Sequence, residues 1–238
     1  MNSIFGSFWA ILNPLANILV YTLVFSQVMK ARLPGVDDAL SYSIYLCAGL
    51  LAWNFFAETF LRTQSVFIEQ SNILKKVSFP RTSLPIYTVV SSAINFLIIF
   101  LLYIAFLFIV DRLPEGPVIF GIIPLLILQT AFAAGIGVLC GTLNVFYRDI
   151  GHVVGVILQF WFWFTPIVYA IEIIPESFKT LYKFNIMAPV VNGYQTIFLQ
   201  NQFPDWSSLY PMIIATVVVL LLGYLTFKKL DHEMVDEL

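Results

Sequence analysis

The sequence predicts an all-α integral membrane protein, and three observations predict it: six long apolar stretches, a scarcity of charge, and no segment between those stretches that resembles a nucleotide-binding or catalytic core. Hydrophobic residues make up 60% of the chain and charged residues 11%, against about 25% charged in a soluble domain. Mean hydropathy is +0.89. Burying that much apolar surface in water would need an implausible core, so lipid is the solvent. The net charge of -2 and the short basic clusters exclude a nucleic-acid-binding face. Cys47 and Cys140 both lie inside apolar stretches and read as small packing residues, not as a disulfide framework.

A spanning helix needs about 20 predominantly apolar residues, because the hydrocarbon core is about 30 Å thick and each residue rises about 1.5 Å. Six segments qualify: residues 8–28, 43–61, 84–110, 118–146, 150–174 and 209–227. The first lacks a basic leader and a small-residue cleavage site, so it counts as a retained span. An even number of spans puts both termini on one side. Arg62, Lys75, Lys76, Arg81, Arg148, Lys228 and Lys229 share that side, while Lys30, Arg32, Arg112, Lys179 and Lys183 share the other. The positive-inside rule then places the first group and both termini in the cytoplasm. Residues 1–238 read as a single transmembrane domain.

The connections differ in kind. Residues 111–117 make a tight external turn and 147–149 a tight cytoplasmic one. The loop between spans two and three carries Val66, Phe67, Ile73, Leu74 and Val77 at helical spacing, with Glu69, Gln70, Asn72, Lys75 and Lys76 elsewhere, which predicts an amphipathic helix. Phe79-Pro80-Arg81 ends it, since proline lacks an N–H donor and disfavours helix in the residue before it. Such a helix either lies on the lipid surface or docks a cytoplasmic partner, and the pattern does not separate the two. Between spans five and six, the pieces 175–184 and 186–199 are partly apolar but too short to cross, so they read as interfacial or re-entrant helices. Backbone of that kind persists at membrane depth only where protein or a water-filled cavity satisfies it, which implies a cavity on the external side.

Titratable groups within the spans are few. Glu58 is either a functional intramembrane carboxylate or the helical ion-pair partner of Arg62, which follows four residues later. His152 reads as an interfacial packing or capping residue. No group has metal-ligand spacing, so no catalytic residue and no metal site are expected. Asn13, Asn54, Asn95, Gln129, Asn144 and Gln159 suit interhelical hydrogen bonds or a polar path, and Ala133, Gly137, Gly141 and the pair Gly151 and Gly155 suit close helix approach. The run Phe160-Trp161-Phe162-Trp163-Phe164, followed by Thr165-Pro166 and Tyr169, puts rings on every face of span five. It is either an interfacial aromatic belt or a glycan conduit, in which sugar C–H faces pack on aromatic rings. No G-x-x-x-x-G-K-[ST] occurs, so any ATP dependence resides in another polypeptide.

Taken in order, Trp9-Ala-Ile-Leu-Asn-Pro14, Leu74-Lys-Lys-Val-Ser-Phe-Pro-Arg81, Asn144-Val-Phe-Tyr-Arg-Asp149 and Phe162-Trp-Phe-Thr-Pro-Ile-Val-Tyr169 resemble the permease subunit of type 2 ABC exporters. Within that group the resemblance is to exporters of O-antigen, capsule or teichoic acid, and it covers nearly the whole chain. It implies a homodimer of six-span permeases with two copies of a separate ABC ATPase, which hold ATP and Mg and dock from the cytoplasm. Residues 65–77 would be the coupling helix, with Glu69, Asn72, Lys75 and Lys76 as docking contacts. The pieces 175–184 and 186–199 would be external gate helices. Spans one and five would line the conduit, with Trp9, Phe160, Trp161, Trp163 and Tyr169 touching the glycan.

The expected activity is export of a lipid-linked polysaccharide across a bacterial cytoplasmic (inner) membrane, with no covalent chemistry in this chain. A different cargo of the same superfamily, such as a small lipophilic molecule, is the nearest alternative. A glycolipid transferase would instead need Glu58, Asp111, Asp149 or His152 as acid, base or metal ligand. Family members usually begin with an amphipathic basic helix ahead of span one. This chain opens at Met1-Asn-Ser-Ile-Phe-Gly, where that helix would already have ended.

Overall fold

The computed structural model describes residues 6–24, 33, 38, 40–76, 80–171, 182, 184–231 and 233–237, and among them there is no strand. In chain order the helices are α1 (Gly6–Thr22), α2 (Ser41–Glu69), α3 (Ser71–Lys76), α4 (Ser83–Ile109), α5 (Ile122–Phe146), α6 (Asp149–Phe164), α7 (Ala188–Gln195), α8 (Tyr210–Leu230) and α9 (Met234–Glu237). Short 3-10 helices, Gly116–Gly121 and Trp206–Leu209, lead into α5 and α8, and α7 runs on into a π turn, Thr196–Gln200.

Among the described residues, four helices are long and apolar enough to cross a membrane: Ser41–Glu69, Ser83–Ile109, Gly116–Phe146 and Trp206–Leu230. The helices α1 and α6, with 17 and 16 residues, are shorter. Two helix ends differ from the hydropathy pattern. The second segment does not stop at Leu61 but continues to Glu69, because nothing after Arg62 breaks a helix and Thr63, Gln64, Val66 and Phe67 are all buried. Conversely, α6, the helix of the fifth segment, ends at Phe164, well short of residue 174, because Pro166 lacks an N–H and disfavours helix at Thr165. Residues 172–181 lie outside the described part of the chain.

The chain divides into two compact units, and α2 and α4 contribute residues to both. The first unit comprises Met1–Trp53, Ile94–Ile122 and Thr165–Asp205. In it α4 ends on Asp111, whose left-handed φ of 56° lets the Arg112 N–H reach back to the Leu107 carbonyl at 2.9 Å. The Arg112 guanidinium then pairs with Asp38 at 3.0 Å. Tyr103 is buried, donates its hydroxyl to the Ile44 carbonyl at 2.9 Å, and meets Phe198 edge-on at 4.9 Å. The α7 region is thereby packed on α4.

The second unit comprises Asn54–Ala93, Ile123–Phe164 and Trp206–Leu238. Here α5 approaches α2 through glycine. A Cβ on Gly137 would lie 2.6 Å from Cβ of Thr63, and one on Gly141 would lie 3.0 Å from the carbonyls of Thr63 and Gln64. That is the close approach the four-residue spacing of small residues predicts. Gly155, by contrast, has nothing within 4 Å of its would-be Cβ. Thr63 and Thr88 share a hydrogen bond of 2.9 Å, Phe56 stacks on Phe132 at 5.8 Å, and Arg62 pairs with Glu58 at 3.1 Å as their spacing predicts.

Candidate functional site

Two places in the chain concentrate the residues singled out by sequence, and each lies within one unit. The first is the junction of α2 and α3. The amphipathic stretch is helical but forms two pieces, the last turn of α2 and the six residues of α3, interrupted at Gln70. The hydrogen-bond ladder continues across the interruption, from the Gln70 N–H to the Val66 carbonyl at 3.0 Å and from the Leu74 N–H to the Gln70 carbonyl at 3.1 Å. Val66, Phe67 and Leu74 are buried together with Leu84, Val145, Phe227 and Met234. Val66, Phe67 and Leu74 are therefore covered by protein and not by lipid, while Val77 and the side chain of Ile73 lie outside the described residues. Glu69, Asn72 and Lys75 are exposed. Lys76 lies in α3, and its side chain is outside the described residues.

The second place follows the aromatic run. Once α6 ends, residues 165–170 are irregular and turn their carbonyls to side chains of α2 and α7. Tyr45 donates its hydroxyl to the Pro166 and Tyr169 carbonyls at 3.1 and 3.0 Å, Tyr42 donates to the Val168 carbonyl, and Gln195 Nε2 donates to the Pro166 carbonyl at 3.1 Å. Asn185 holds Thr165 at 2.9 Å. In apolar surroundings each free carbonyl would cost several kcal/mol, so these donors are what permits a non-helical segment there. The contact is tight: a Cβ on Gly49 would lie 2.8 Å from Gln195 Nε2.

Beside the same donors lies a cavity of about 120 Å³, walled by Tyr45, Pro166, Asn192, Gln195 and Thr196 with Leu33 and Leu199 among its apolar lining, and none of its lining residues is charged. Gln195 Oε1 is buried and accepts no hydrogen bond from the described residues. Burial pushes the neighbouring Tyr194 hydroxyl well above the ordinary tyrosine value, so it stays protonated. The cavity can take uncharged O–H donors, water or a hydroxyl group. Of the two pieces expected between spans five and six, 186–199 contains α7, whose Ala188, Val190, Val191, Gly193 and Tyr194 are buried; nearly all of 175–184 lies outside the described residues.

The aromatic candidates do not share one environment. Phe160 and Trp163 are 72% and 61% exposed, whereas Trp161 is half-buried and meets Phe56 and Phe132 edge-on at 5.4 and 6.4 Å. Tyr169 is half-buried, and Trp9 lies in α1 with its side chain outside the described residues. Among the amides, Asn144 accepts from the Gly151 N–H at 2.9 Å and so caps α6, Gln129 is buried without a partner among the described residues, and Asn13, Asn54 and Gln159 are exposed. His152 is exposed, and among the described residues no three His, Cys, Asp or Glu come together as a metal site.

Sequence reasoning missed Tyr42, Tyr45 and Gln195. The available signal was the Thr165-Pro166 break, which requires donors for its carbonyls, together with two tyrosines three residues apart on one helix face. It also missed the Arg81 to Asp231 ion pair, 2.6 Å long across 150 positions, for which a single sequence holds no signal.

Over 235 residues the chain is 30% identical to the O-antigen export system permease protein RfbA of Klebsiella pneumoniae, covering 99% of this chain and 88% of the relative. It is 28% identical to the protein of the same name from Myxococcus xanthus, covering 99% and 89%. It is 22% identical to the polysialic acid transport protein KpsM of Escherichia coli, covering 96% and 87%. Residues 2–199 match the family described as ABC-2 type transporter, and the chain belongs to that family.

Proposed function

We propose that this chain is the membrane-spanning permease subunit of an ATP-driven exporter that moves a lipid-linked, O-antigen-like polysaccharide outward across the cytoplasmic membrane. The observation that carries the reading is similarity along nearly the whole chain to permeases named for O-antigen export. In this reading α1 and α6 join the four long helices as six spans, with both termini cytoplasmic. Two copies pair, and two ABC ATPase subunits holding ATP and Mg dock on residues 65–77.

The geometry supports the docking role because the α2–α3 junction shows a polar outer side over a protein-packed apolar one. Glu69, Asn72, Lys75 and Lys76 are the proposed contacts. Exposed Asn54, Gln159, Phe160 and Trp163 support a pairing or conduit face, since amides facing lipid are unfavourable. Trp9, Phe160, Trp161, Trp163 and Tyr169 are the proposed glycan contacts, with α7 and residues 175–184 as the external gate.

The test is co-purification of the ATPase with variants of the exposed contacts. Glu69→Lys with Lys75→Glu is expected to lower recovery of the ATPase about tenfold or more, the effect of losing roughly 1.4 kcal/mol at an interface, without changing the yield of folded permease. Unchanged recovery and unchanged export would refute the docking assignment.

A further inference from the structure

Asp231 and α9, beyond α8, are tied to the docking element. Met234 is fully buried in the same apolar cluster as Phe67 and Leu74, and Phe67 stacks on Phe227 of α8 at 5.7 Å. Arg81, at the start of α4, donates to both the carboxylate and the backbone carbonyl of Asp231 at the end of α8. The pair is half-buried, with side-chain exposures of 24% and 32%, so it is not a loose surface contact. A guanidinium that engages a side chain and the backbone of one residue fixes that residue's position as well as its charge. Close-packed clusters of this kind shift as units and do not deform continuously.

Resting on the exporter reading above, we infer that Arg81, Asp231 and Met234 are positioning residues of energy coupling: they make Asp231 and α9 part of the docking element, so that movement of α3 by the ATPase is delivered to α8 as well as to α2. No one of the three need touch the ATPase or the glycan. Their removal therefore separates ATP hydrolysis from export and leaves docking in place.

The experiment uses the full permease–ATPase complex in proteoliposomes, loaded with polyprenyl-linked glycan extracted from the producing cells, and reads glycan moved per ATP hydrolysed. Arg81→Ala and Met234→Ala are expected to retain the ATPase and its hydrolysis while export per ATP falls about fivefold. Met234→Leu and the exchanged pair Arg81→Asp with Asp231→Arg are expected to recover most of the ratio. Hydrolysis and export falling in the same proportion, or a ratio unchanged in every variant, would overturn the inference.

If the alanine variants do not fold, a disulfide between Leu74→Cys and Met234→Cys decides the matter. Export that continues after oxidation supports movement as one block. Export lost on oxidation and regained with reductant, or a pair that does not oxidise, contradicts it. The two readings fail differently: wild-type permease that binds no ATPase removes the exporter reading and this inference together, whereas wild-type export with variants of normal ratio removes this inference alone.

Discussion

The chain interrupts its helices in two contrasting ways. At Gln70 the backbone ladder is kept, the apolar side is packed on the chain's own protein, and the polar residues Glu69, Asn72 and Lys75 are left outside. At residues 165–170 the ladder is abandoned, and the carbonyls are taken by Tyr42, Tyr45 and Gln195 beside an uncharged cavity. The first interruption makes a surface and is held by apolar packing. The second makes a polar interior and is held by hydrogen bonds. A partner protein can be met by the first, and a hydroxylated ligand or water by the second.

If that contrast is correct, the two places should respond to different substitutions. The largest effect is expected at the packed junction. Phe67→Ala deletes a fully buried ring that stacks on Phe227, and should lower stability by about 3–5 kcal/mol, read by denaturant unfolding in detergent. A smaller loss would mean that the junction is not held by its apolar side.

The next effect belongs to the irregular segment. Tyr45→Phe keeps the ring and removes the one hydroxyl shared by the Pro166 and Tyr169 carbonyls, for an expected loss of about 1–3 kcal/mol, with faster hydrogen exchange confined to the segment around residues 165–170. Exchange rising equally at α3 would collapse the distinction between the two places. The smallest effect is expected from Glu58→Gln. The Glu58–Arg62 pair is partly exposed and Arg62 keeps its hydrogen bond to Ser91, so the change should stay below about 1 kcal/mol. A larger loss would make that carboxylate more than a local helical partner.

Apolar run length and periodicity explain what was legible in the sequence. Segments 84–110, 118–146 and 209–227 lie within a few residues of the observed helices, and the spacing of Val66, Phe67 and Leu74 correctly marked one buried side. Hydropathy misjudged two ends because it measures lipid preference, not helix formation: Arg62 did not stop α2, and the apolar residues after Pro166 did not extend α6. Contacts made by single polar atoms were out of reach. Tyr45 looks like any tyrosine of an apolar run until the carbonyls it serves are known. Gln129 reads as an interhelical donor by type, yet both polar atoms of its amide are buried without a partner among the described residues. The Arg81 to Asp231 pair joins positions whose proximity depends on the tertiary fold alone.

The most direct test of the exporter reading is purification of the tagged full-length chain from its native membranes, with mass spectrometry of both the protein and the lipid that accompany it. The account predicts a stoichiometric P-loop ATPase together with a polyprenyl-linked glycan. A stable, folded permease that carries neither would contradict it.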